Sequence, residues 1–373
     1  MARPFGRVFV NGASKPKALH FNDCRAAASL LTAVDRGLYA RPLVASSRRA
    51  LVLLSGAAAA EPIKLKFSFF TSDRSIIYQA MIKPFVDAVN NEGKDLLQID
   101  VYFSGAISKV QAQQPGLVAE GVADLAIVVP GQVPELSTGV AVMELPGLFR
   151  DEREASGVFA RLVAADTFSG FRDFVVIGTF MSGSENINSR KPLTSLAELN
   201  GQTIRVNNPV EAMTLEKLGA VPVLLAINET TEELSQGKID GATVPPSMLF
   251  EFGISRLTSY HYMAHVGSAP VALVMSRDKF ASLPPRAQEI IRKYSGEWLT
   301  DQCAKILAVR DAEGLAKLQS DSRRTVTFPS QSDEAAIQKV YASVVEQWAS
   351  SNRHNRELLE RVKTEIAKHR SNN

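Results

Sequence analysis

The stretch Glu120-Gly121-Val122-Ala123-Asp124-Leu125-Ala126 has a close counterpart in the second half of the chain, Gln236-Gly237-Lys238-Ile239-Asp240-Gly241-Ala242. In each copy, a glycine that can adopt positive φ follows a predicted helix, and an aspartate then opens a strand. A repeated helix-to-strand junction of this kind predicts two lobes of similar α/β construction.

The segment before the first copy predicts two strands and a helix between them. Residues 63–69 alternate between apolar and polar side chains, as a strand with one buried face does. A helix should follow, because apolar residues recur at every fourth position: Ile77, Met81, Phe85 and Val89, with Pro84 bending the element. Residues 98–103 predict the second strand, and the continuously apolar residues 125–129 predict a third that is buried on both faces, as in a parallel sheet.

The second half repeats this order and then becomes helical. A second unit is predicted to begin with a strand at residues 174–178 and to continue through a strand at residues 203–206 and a helix over residues 210–218. Residues 284–318 and 333–368 predict long C-terminal helices, which would form a spine for a hinge if they pack across both lobes.

The apparent basicity of the chain belongs to its first 60 residues. They hold nine of the 42 Lys and Arg residues but two of the 39 Asp and Glu residues, which leaves residues 61–373 with a formal charge of −4. A nucleic-acid partner is therefore not indicated.

Residues 1–60 are interpreted as a leader for export. Arg48 and Arg49 precede a short apolar run and then the small residues 55–60, so cleavage is expected after about Ala60. The apolar run is shorter than the ~20 residues that a membrane span needs. We therefore expect no stable membrane insertion after cleavage and a periplasmic protein, with the general secretory route favoured over the twin-arginine route.

Motifs of catalysis and metal binding are missing from the sequence. It contains neither a Gly-x-Ser-x-Gly elbow nor a phosphate-binding Gly-rich loop. His261 and His265 have a spacing that could chelate zinc on a helix, but no acidic pair accompanies them, and packing is the favoured interpretation. We expect no enzyme activity, no cofactor and no metal.

The stretch SRKPLTSLAELNGQTIRVNNP, residues 189–209, carries the most specific pattern. A basic-Pro segment is followed by Ser-Leu-x-Glu-Leu-x-Gly, then Ile-Arg-Val and Asn-x-Pro. This pattern resembles the DctP-type substrate-binding proteins of tripartite ATP-independent periplasmic (TRAP) transporters. Further matches are LGAVPV at 218–223, EELSQGKIDGA at 232–242 and MELPGLF at 143–149, so the resemblance spans roughly residues 63–330.

The resemblance implies that Arg205 forms a salt bridge with a carboxylate of the ligand. A planar guanidinium presents paired donors that match a carboxylate, and closed lobes would shield the bond from water. The alternative is an arginine at a strand end that pairs with a nearby acidic side chain. Asn207 and Asn208, which follow directly, are expected to belong to the same ligand-binding site.

Two positions depart from the family pattern. Many related members carry a second arginine twenty residues before the first, where this chain has Glu185. Glu185 is expected to accept a hydrogen bond from a ligand hydroxyl or amine, to orient Arg205, or to point to solvent. Pro245 lies in an apolar Val-Pro-Pro stretch where some members have a polar Asn, which favours a carboxylate with a hydrophobic or aromatic body.

Loops at the strand ends of the first lobe supply the remaining candidates. A parallel sheet directs such loops into the crevice between the lobes. The ligand-binding candidates here are Phe70, Ser104, Pro130 and Gly131. Phe70 could stack on the ligand or belong to the core, and Pro130 with Gly131 is expected to form a rigid turn.

The sequence thus predicts an α/β, two-lobed fold like that of the class II periplasmic binding proteins, with hinge crossings near residues 182–185 and 267–270. Lobe I is expected to comprise 61–182 plus 270–310, and lobe II 183–269 plus 311–373. The predicted function is capture of a small organic carboxylate for TRAP membrane subunits. An exported enzyme on a bilobal scaffold and a ligand sensor for a membrane kinase are the alternatives.

Overall fold

The computed structural model describes residues 61–372, so the predicted leader lies outside the described residues. The strands are β1 (Ile63–Ser68), β2 (Leu97–Tyr102), β3 (Leu125–Val128), β4 (Phe174–Met181), β5 (Glu185–Ser189), β6 (Thr203–Val206), β7 (Val221–Leu224), β8 (Gly241–Val244), β9 (Tyr260–Gly267), β10 (Pro270–Ser276) and β11 (Thr325–Thr327). The helices are α1 (Lys83–Gly93), α2 (Gln114–Ala119), α3 (Pro134–Val140), α4 (Glu152–Ala164), α5 (Pro209–Lys217), α6 (Ile227–Ser235), α7 (Pro246–Glu251), α8 (Arg277–Ser282), α9 (Pro285–Lys293), α10 (Glu297–Ser320), α11 (Gln331–Ser350) and α12 (Arg353–Asn372).

The first sheet has the strand order β2-β1-β3-β10-β4. Strand β1 is parallel to β2 and β3, whereas β10 is antiparallel to both β3 and β4. The prediction of a parallel sheet is therefore wrong for β10, which enters this sheet after the chain has returned from the second one. Strand β4 also belongs here, so the expectation that it begins the second unit is wrong.

The second sheet has the order β11-β9-β5-β8-β6-β7. Its β6 runs parallel to β7 and β8, and β5 runs antiparallel to β8 and β9. Each sheet thus mixes parallel strands with one or more antiparallel ones and is covered by helices. This mixed α/β architecture in two lobes agrees with the predicted fold class.

The repeated sequence motif has the same structure in both lobes. Gly121 and Gly237 each adopt φ +71° directly after a helix. Asp124 then accepts a 2.7 Å hydrogen bond from the backbone N–H of Lys66 on β1, and Asp240 accepts one of 3.0 Å from Thr203 on β6. The predicted junction is confirmed, and in each lobe its aspartate ties one parallel strand to the next.

The helix predicted from Ile77, Met81, Phe85 and Val89 is also confirmed, since all four are buried in the first core. A π-helical turn at Tyr78–Ile82 precedes α1, and Pro84 lies in the first turn of α1. Helical residues run without a break from residue 76 into α1, so the missing N–H of Pro84 leaves one carbonyl of the preceding turn without its helical partner.

The chain crosses between the sheets at two short segments, residues 182–184 and residues 268–269. Long helices cross as well. Helix α10 contacts α4 and β4 on the first lobe and α7 and β11 on the second. Helix α11 places Tyr341 in the core of the second lobe and Trp348 in that of the first.

Helix α12 packs against α4 of the first lobe. Its buried side chains join the core that contains β3 and β10: Leu358, Leu359, Val362 and Ile366. This packing favours assigning residues 353–372 to lobe I, whereas the sequence analysis placed them in lobe II. Within residues 61–372, no helix is long and apolar enough to cross a membrane.

Candidate functional site

Arg205 lies on β6 in the interior of the second lobe and is 1% exposed. Three acceptors hold its guanidinium. Nε donates to the carbonyl of Leu225 at 2.8 Å, Nη1 to the carbonyl of Thr243 at 3.0 Å, and Nη2 to Oδ1 of Asn207 at 3.0 Å. These contacts fix the plane of the side chain without using a charged partner.

The guanidinium keeps unused hydrogen-bonding capacity. Arginine has five N–H donors, of which three are engaged here, so one N–H remains on each terminal nitrogen. No acidic oxygen of the described residues lies within ion-pair distance of Arg205. Two donors on adjacent nitrogens are what a carboxylate needs for paired charge-assisted hydrogen bonds.

Glu185, the first residue of β5, is 3% exposed, so it does not point to solvent. Its Oε1 accepts a long hydrogen bond of 3.3 Å from Ser182 Oγ, and its Oε2 has no partner. Burial and the charge of Glu211 raise the pKa of Glu185, whereas the charge of Arg205 lowers it. The effect of burial dominates, because the carboxylate has lost water without gaining a direct cation.

Glu211 on α5 is a second fully buried acid beside Arg205. Its Oε2 accepts hydrogen bonds from Asn207 N at 2.7 Å and from Thr243 Oγ1 at 3.1 Å, while its Oε1 has no partner. Burial raises the pKa of Glu211, and the Asn207 N–H and Arg205 partly offset this. Glu211 thus braces the backbone that carries the site.

The first lobe contributes a third buried acid, Glu144, neither of whose oxygens has a partner. Burial and the charge of Glu211 raise its pKa to about 8. It lies where the lobes meet, because a Cβ on Gly131 would fall 2.7 Å from both Glu144 Oε1 and Asn208 Cβ. Only glycine permits this approach of the turn after β3 to the second lobe.

Other bonds show that the lobes are closed on each other. The side-chain amide of Gln132 donates to the carbonyl of Asn207. Glu251 on α7 accepts a 2.9 Å bond from the backbone N–H of Ile76, and burial raises its pKa to about 7. Arg205 is therefore enclosed here, and a ligand would need the lobes to separate before it could enter.

The remaining predicted site residues fall into three situations. Asn208 caps α5, since its Oδ1 accepts from Glu211 N at 2.8 Å, and its Nδ2 is buried without a partner. Pro130 and Pro245 are buried at the turns after β3 and β8, and Phe70 packs in the first core. Ser104 is exposed at a positive φ of 54° and bonds the carbonyl of Thr71, so no contact joins it to Arg205.

The two histidines lie on strand β9, not on a helix. His261 is buried between Asn188 and Arg324, with Nδ1 2.8 Å from Asn188 Oδ1. This is the packing role that the sequence favoured. His265 lines a cavity of about 470 Å³ on the hinge side, together with Glu334 and Tyr341. Arg205 does not line that cavity.

Sequence reasoning missed Glu144 and Glu211 as site residues. Each carried a local signal. Glu211 stands three positions after Asn208, the spacing at which an N-cap and an acidic residue brace a helix start. Glu144 lies in the MELPGLF stretch, which was used for the family resemblance and not for the site.

Two lobes that close over a buried guanidinium with spare donors define a two-lobed, solute-binding clamp. Residues 67–352 match the family model described as bacterial extracellular solute-binding protein, family 7. The chain belongs to this family, and the resemblance to the TRAP substrate-binding proteins is confirmed.

Individual relatives agree with this assignment. The 2,3-diketo-L-gulonate-binding periplasmic protein YiaO of Escherichia coli is 24% identical over 231 residues, which cover 61% of this chain and 70% of that protein. A TRAP solute-binding protein from Rhodoferax ferrireducens, solved with copurified benzoate, superposes with a TM-score of 0.77 at 23% identity and covers 83% and 99% of the two chains. A marine metagenome TRAP solute-binding protein specific for aromatic acid ligands superposes with a TM-score of 0.78 at 22% identity. The match covers 83% of this chain and 99% of that one.

Proposed function

We propose that the protein captures a small organic carboxylate between its lobes and delivers it to the membrane subunits of a TRAP-type transporter. The observation that carries the proposal is the guanidinium of Arg205, which is fully buried, bonds Asn207 beside the first lobe's Gln132, and retains one donor on each terminal nitrogen. In the closed form, a carboxylate there would be held by paired charge-assisted bonds away from water.

Capture would work by a population shift. Ligand contacts made on both lobes favour the closed arrangement over the open one, and the membrane partner distinguishes the two. The contacts available for closure are Gln132 with Asn207 and Glu251 with Ile76. Residues 182–184 and 268–269 are the proposed hinge, and α10 and α11 are the proposed spine.

The apolar residues at the strand ends favour a ligand with an apolar or aromatic body. Phe70, Pro130 and Pro245 are buried near the strand ends that face the lobe boundary. Two of the structural neighbours were solved with benzoate and with 3-hydroxybenzoate, which have such bodies. We propose that Phe70 lies against the ligand body and that the ligand is released chemically unchanged.

The experiment is calorimetric titration of organic carboxylates into the wild type, R205K and the matched control R277K. Arg277 bonds the carbonyls of Arg172 and Phe174, away from the site. Lysine keeps the charge but loses the paired donors, so R205K should weaken binding by about 2–5 kcal/mol, whereas R277K should not change it. Equal affinities of wild type and R205K would refute the proposal.

Export also belongs to this proposal. The family is extracellular, and residues 1–60 carry the features of an export signal. We propose a periplasmic location reached by the general secretory route. Replacing Arg48 and Arg49 by lysine should then leave the mature protein in the periplasmic fraction, whereas cytoplasmic retention would favour the twin-arginine route.

A further inference from the structure

Glu185 on β5 and Arg205 on β6 are opposite charges on the two strands that flank β8 in the second sheet. Each is fully buried, and the charge of each changes the pKa of the other. They nevertheless form no ion pair within 4.0 Å, whereas Glu154, another buried acid among residues 61–372, pairs directly with Arg150 and Arg370. Glu185 has an oxygen without a donor, and Arg205 has two donors without an acceptor. A molecule between them could satisfy both.

The surroundings of Arg205 contain more acid than base. Besides Glu185, the carboxyls of Glu144 and Glu211 are buried there, and four oxygens of the three acids have no hydrogen-bond partner. Their charges act on one another, since Glu211 raises the pKa of both Glu144 and Glu185. The only cation in this group is Arg205. Buried acceptors on this scale are normally satisfied by a ligand or by water.

A plain carboxylate would satisfy one side of this arrangement only. It would accept from Arg205, but Glu185 would have to keep the proton that its raised pKa favours, because no cation would then stabilise its charge. A ligand that also carries a protonated nitrogen would give Glu185 both a donor and a positive charge. Its own net charge would be zero, so closing the lobes over it would bury less uncompensated charge.

We propose that the ligand is a zwitterion, a carboxylate that binds Arg205 and whose cationic nitrogen binds Glu185. This inference rests on the proposed function, because it assumes that Arg205 holds the carboxylate. It makes Glu185 the residue that selects amino-carboxylates over simple anions.

The test uses ligand triads that differ in one group. One triad is 3-phenylpropanoate, phenyllactate and phenylalanine, and another is benzoate, 4-(hydroxymethyl)benzoate and 4-(aminomethyl)benzoate. Thermal-shift measurements over a set of such triads identify the apolar ligand body that stabilises the protein most. Calorimetry then measures the affinities of that triad for the wild type, E185Q, E185D and E251Q. Glu251 is the matched control, a buried glutamate at the lobe boundary that bonds Ile76.

We expect the wild type to bind the amino member at least tenfold more tightly than the plain and hydroxyl members. E185Q should reduce that ratio to near one, E185D should retain most of it, and E251Q should change all three affinities together. A plain or hydroxyl acid that binds the wild type as tightly as the amino member overturns the inference. An affinity ratio that is unchanged in E185Q also overturns the inference. So does an equal loss of affinity for all three ligands in E185Q.

Proton release provides a second readout. Burial raises the pKa of Glu185 in the free protein, so a cationic nitrogen that binds its carboxylate should displace a proton, which calorimetry in buffers of different ionisation enthalpy would detect, whereas a simple anion should release none. A simple anion that binds tightly without proton release overturns the inference but leaves the proposed function standing. If no carboxylate of any kind shifts the melting temperature, or if R205K binds every ligand normally, the proposed function fails, and the inference fails with it.

Discussion

Two buried glutamates show how differently equal burial can act. Glu154 on α4 is 2% exposed and Glu185 is 3% exposed. Glu154 accepts hydrogen bonds from the side chains of Arg150 and Arg370 and from the Arg150 backbone, and its pKa falls to about 2. Glu185 has one long bond to Ser182, and burial raises its pKa. Direct cationic partners, together with a position nearer the surface, stabilise the charge of Glu154, and Glu185 has neither.

The two regions therefore serve different purposes. Around Glu154, the bonds from Arg370 fasten α12 to α4 and complete the first lobe. Around Glu185, a buried oxygen has no partner, and under the proposed function a ligand would supply one. Variants of the residues in the two regions can test this contrast.

The largest effect on stability is expected at Glu154. E154Q should lower the free energy of unfolding at pH 7 by about 2–3 kcal/mol, less than a fully buried pair would lose, since Arg370 is 41% exposed and can be hydrated. E185Q, at equal burial, should leave stability unchanged or raise it. Urea denaturation of both variants measures this. A larger loss of unfolding free energy in E185Q than in E154Q would contradict this comparison.

The contributions of Glu154 and Glu144 to stability should also depend on pH in opposite directions. The depressed pKa of Glu154 gives stability that is present above its ordinary value of 4.5 and is lost as the pH falls toward 2. Glu144 has a pKa of about 8, so the folded protein holds a proton that the unfolded chain releases, and stability falls as the pH rises from 5 to 8.

E144Q should therefore reduce the stability difference between pH 5 and pH 8 by about 3 kcal/mol. E154Q should leave that range unchanged and flatten the acid limb below pH 4.5. Denaturation curves at several pH values separate the two. If E144Q retains the full wild-type slope between pH 5 and 8, the pKa of Glu144 is not raised in the folded protein.

A smaller effect is expected where the lobes touch. G131A places a methyl group 2.7 Å from Asn208 and Glu144, so closure should be impeded and ligand affinity should fall about tenfold, or ~1.4 kcal/mol. The control is G116A, because a Cβ on Gly116 meets nothing within 4 Å. Calorimetry on both variants is the measurement. Affinities within twofold of each other would mean that this contact does not limit closure.

Much of this fold follows from local pattern. The helix-to-strand junctions at Gly121 and Gly237 were predictable because positive φ and a strand-opening aspartate leave a signature within seven residues. The position of β10 in the first sheet was not predictable, because its antiparallel pairing depends on where the chain returns after the second lobe. The packing of α12 on the first lobe likewise depends on a distant pair, Arg370 with Glu154.

The candidate site divides in the same way. Arg205 and Glu185 could be selected from the sequence, because one matches the family pattern and the other departs from it. The approach of Glu144 to Asn208 joins residues from different lobes, and no periodicity or spacing encodes it. Ser104 was selected from its position at a strand end, yet the structure shows it exposed and bonded to Thr71.

A crystal structure of the protein with its bound carboxylate tests the central claim most directly. We predict that the two carboxylate oxygens lie about 2.7–2.9 Å from Nη1 and Nη2 of Arg205, with both lobes in contact with the ligand. A ligand bound instead in the hinge-side cavity of His265 and Glu334, with Arg205 bonded as it is here, would contradict the account.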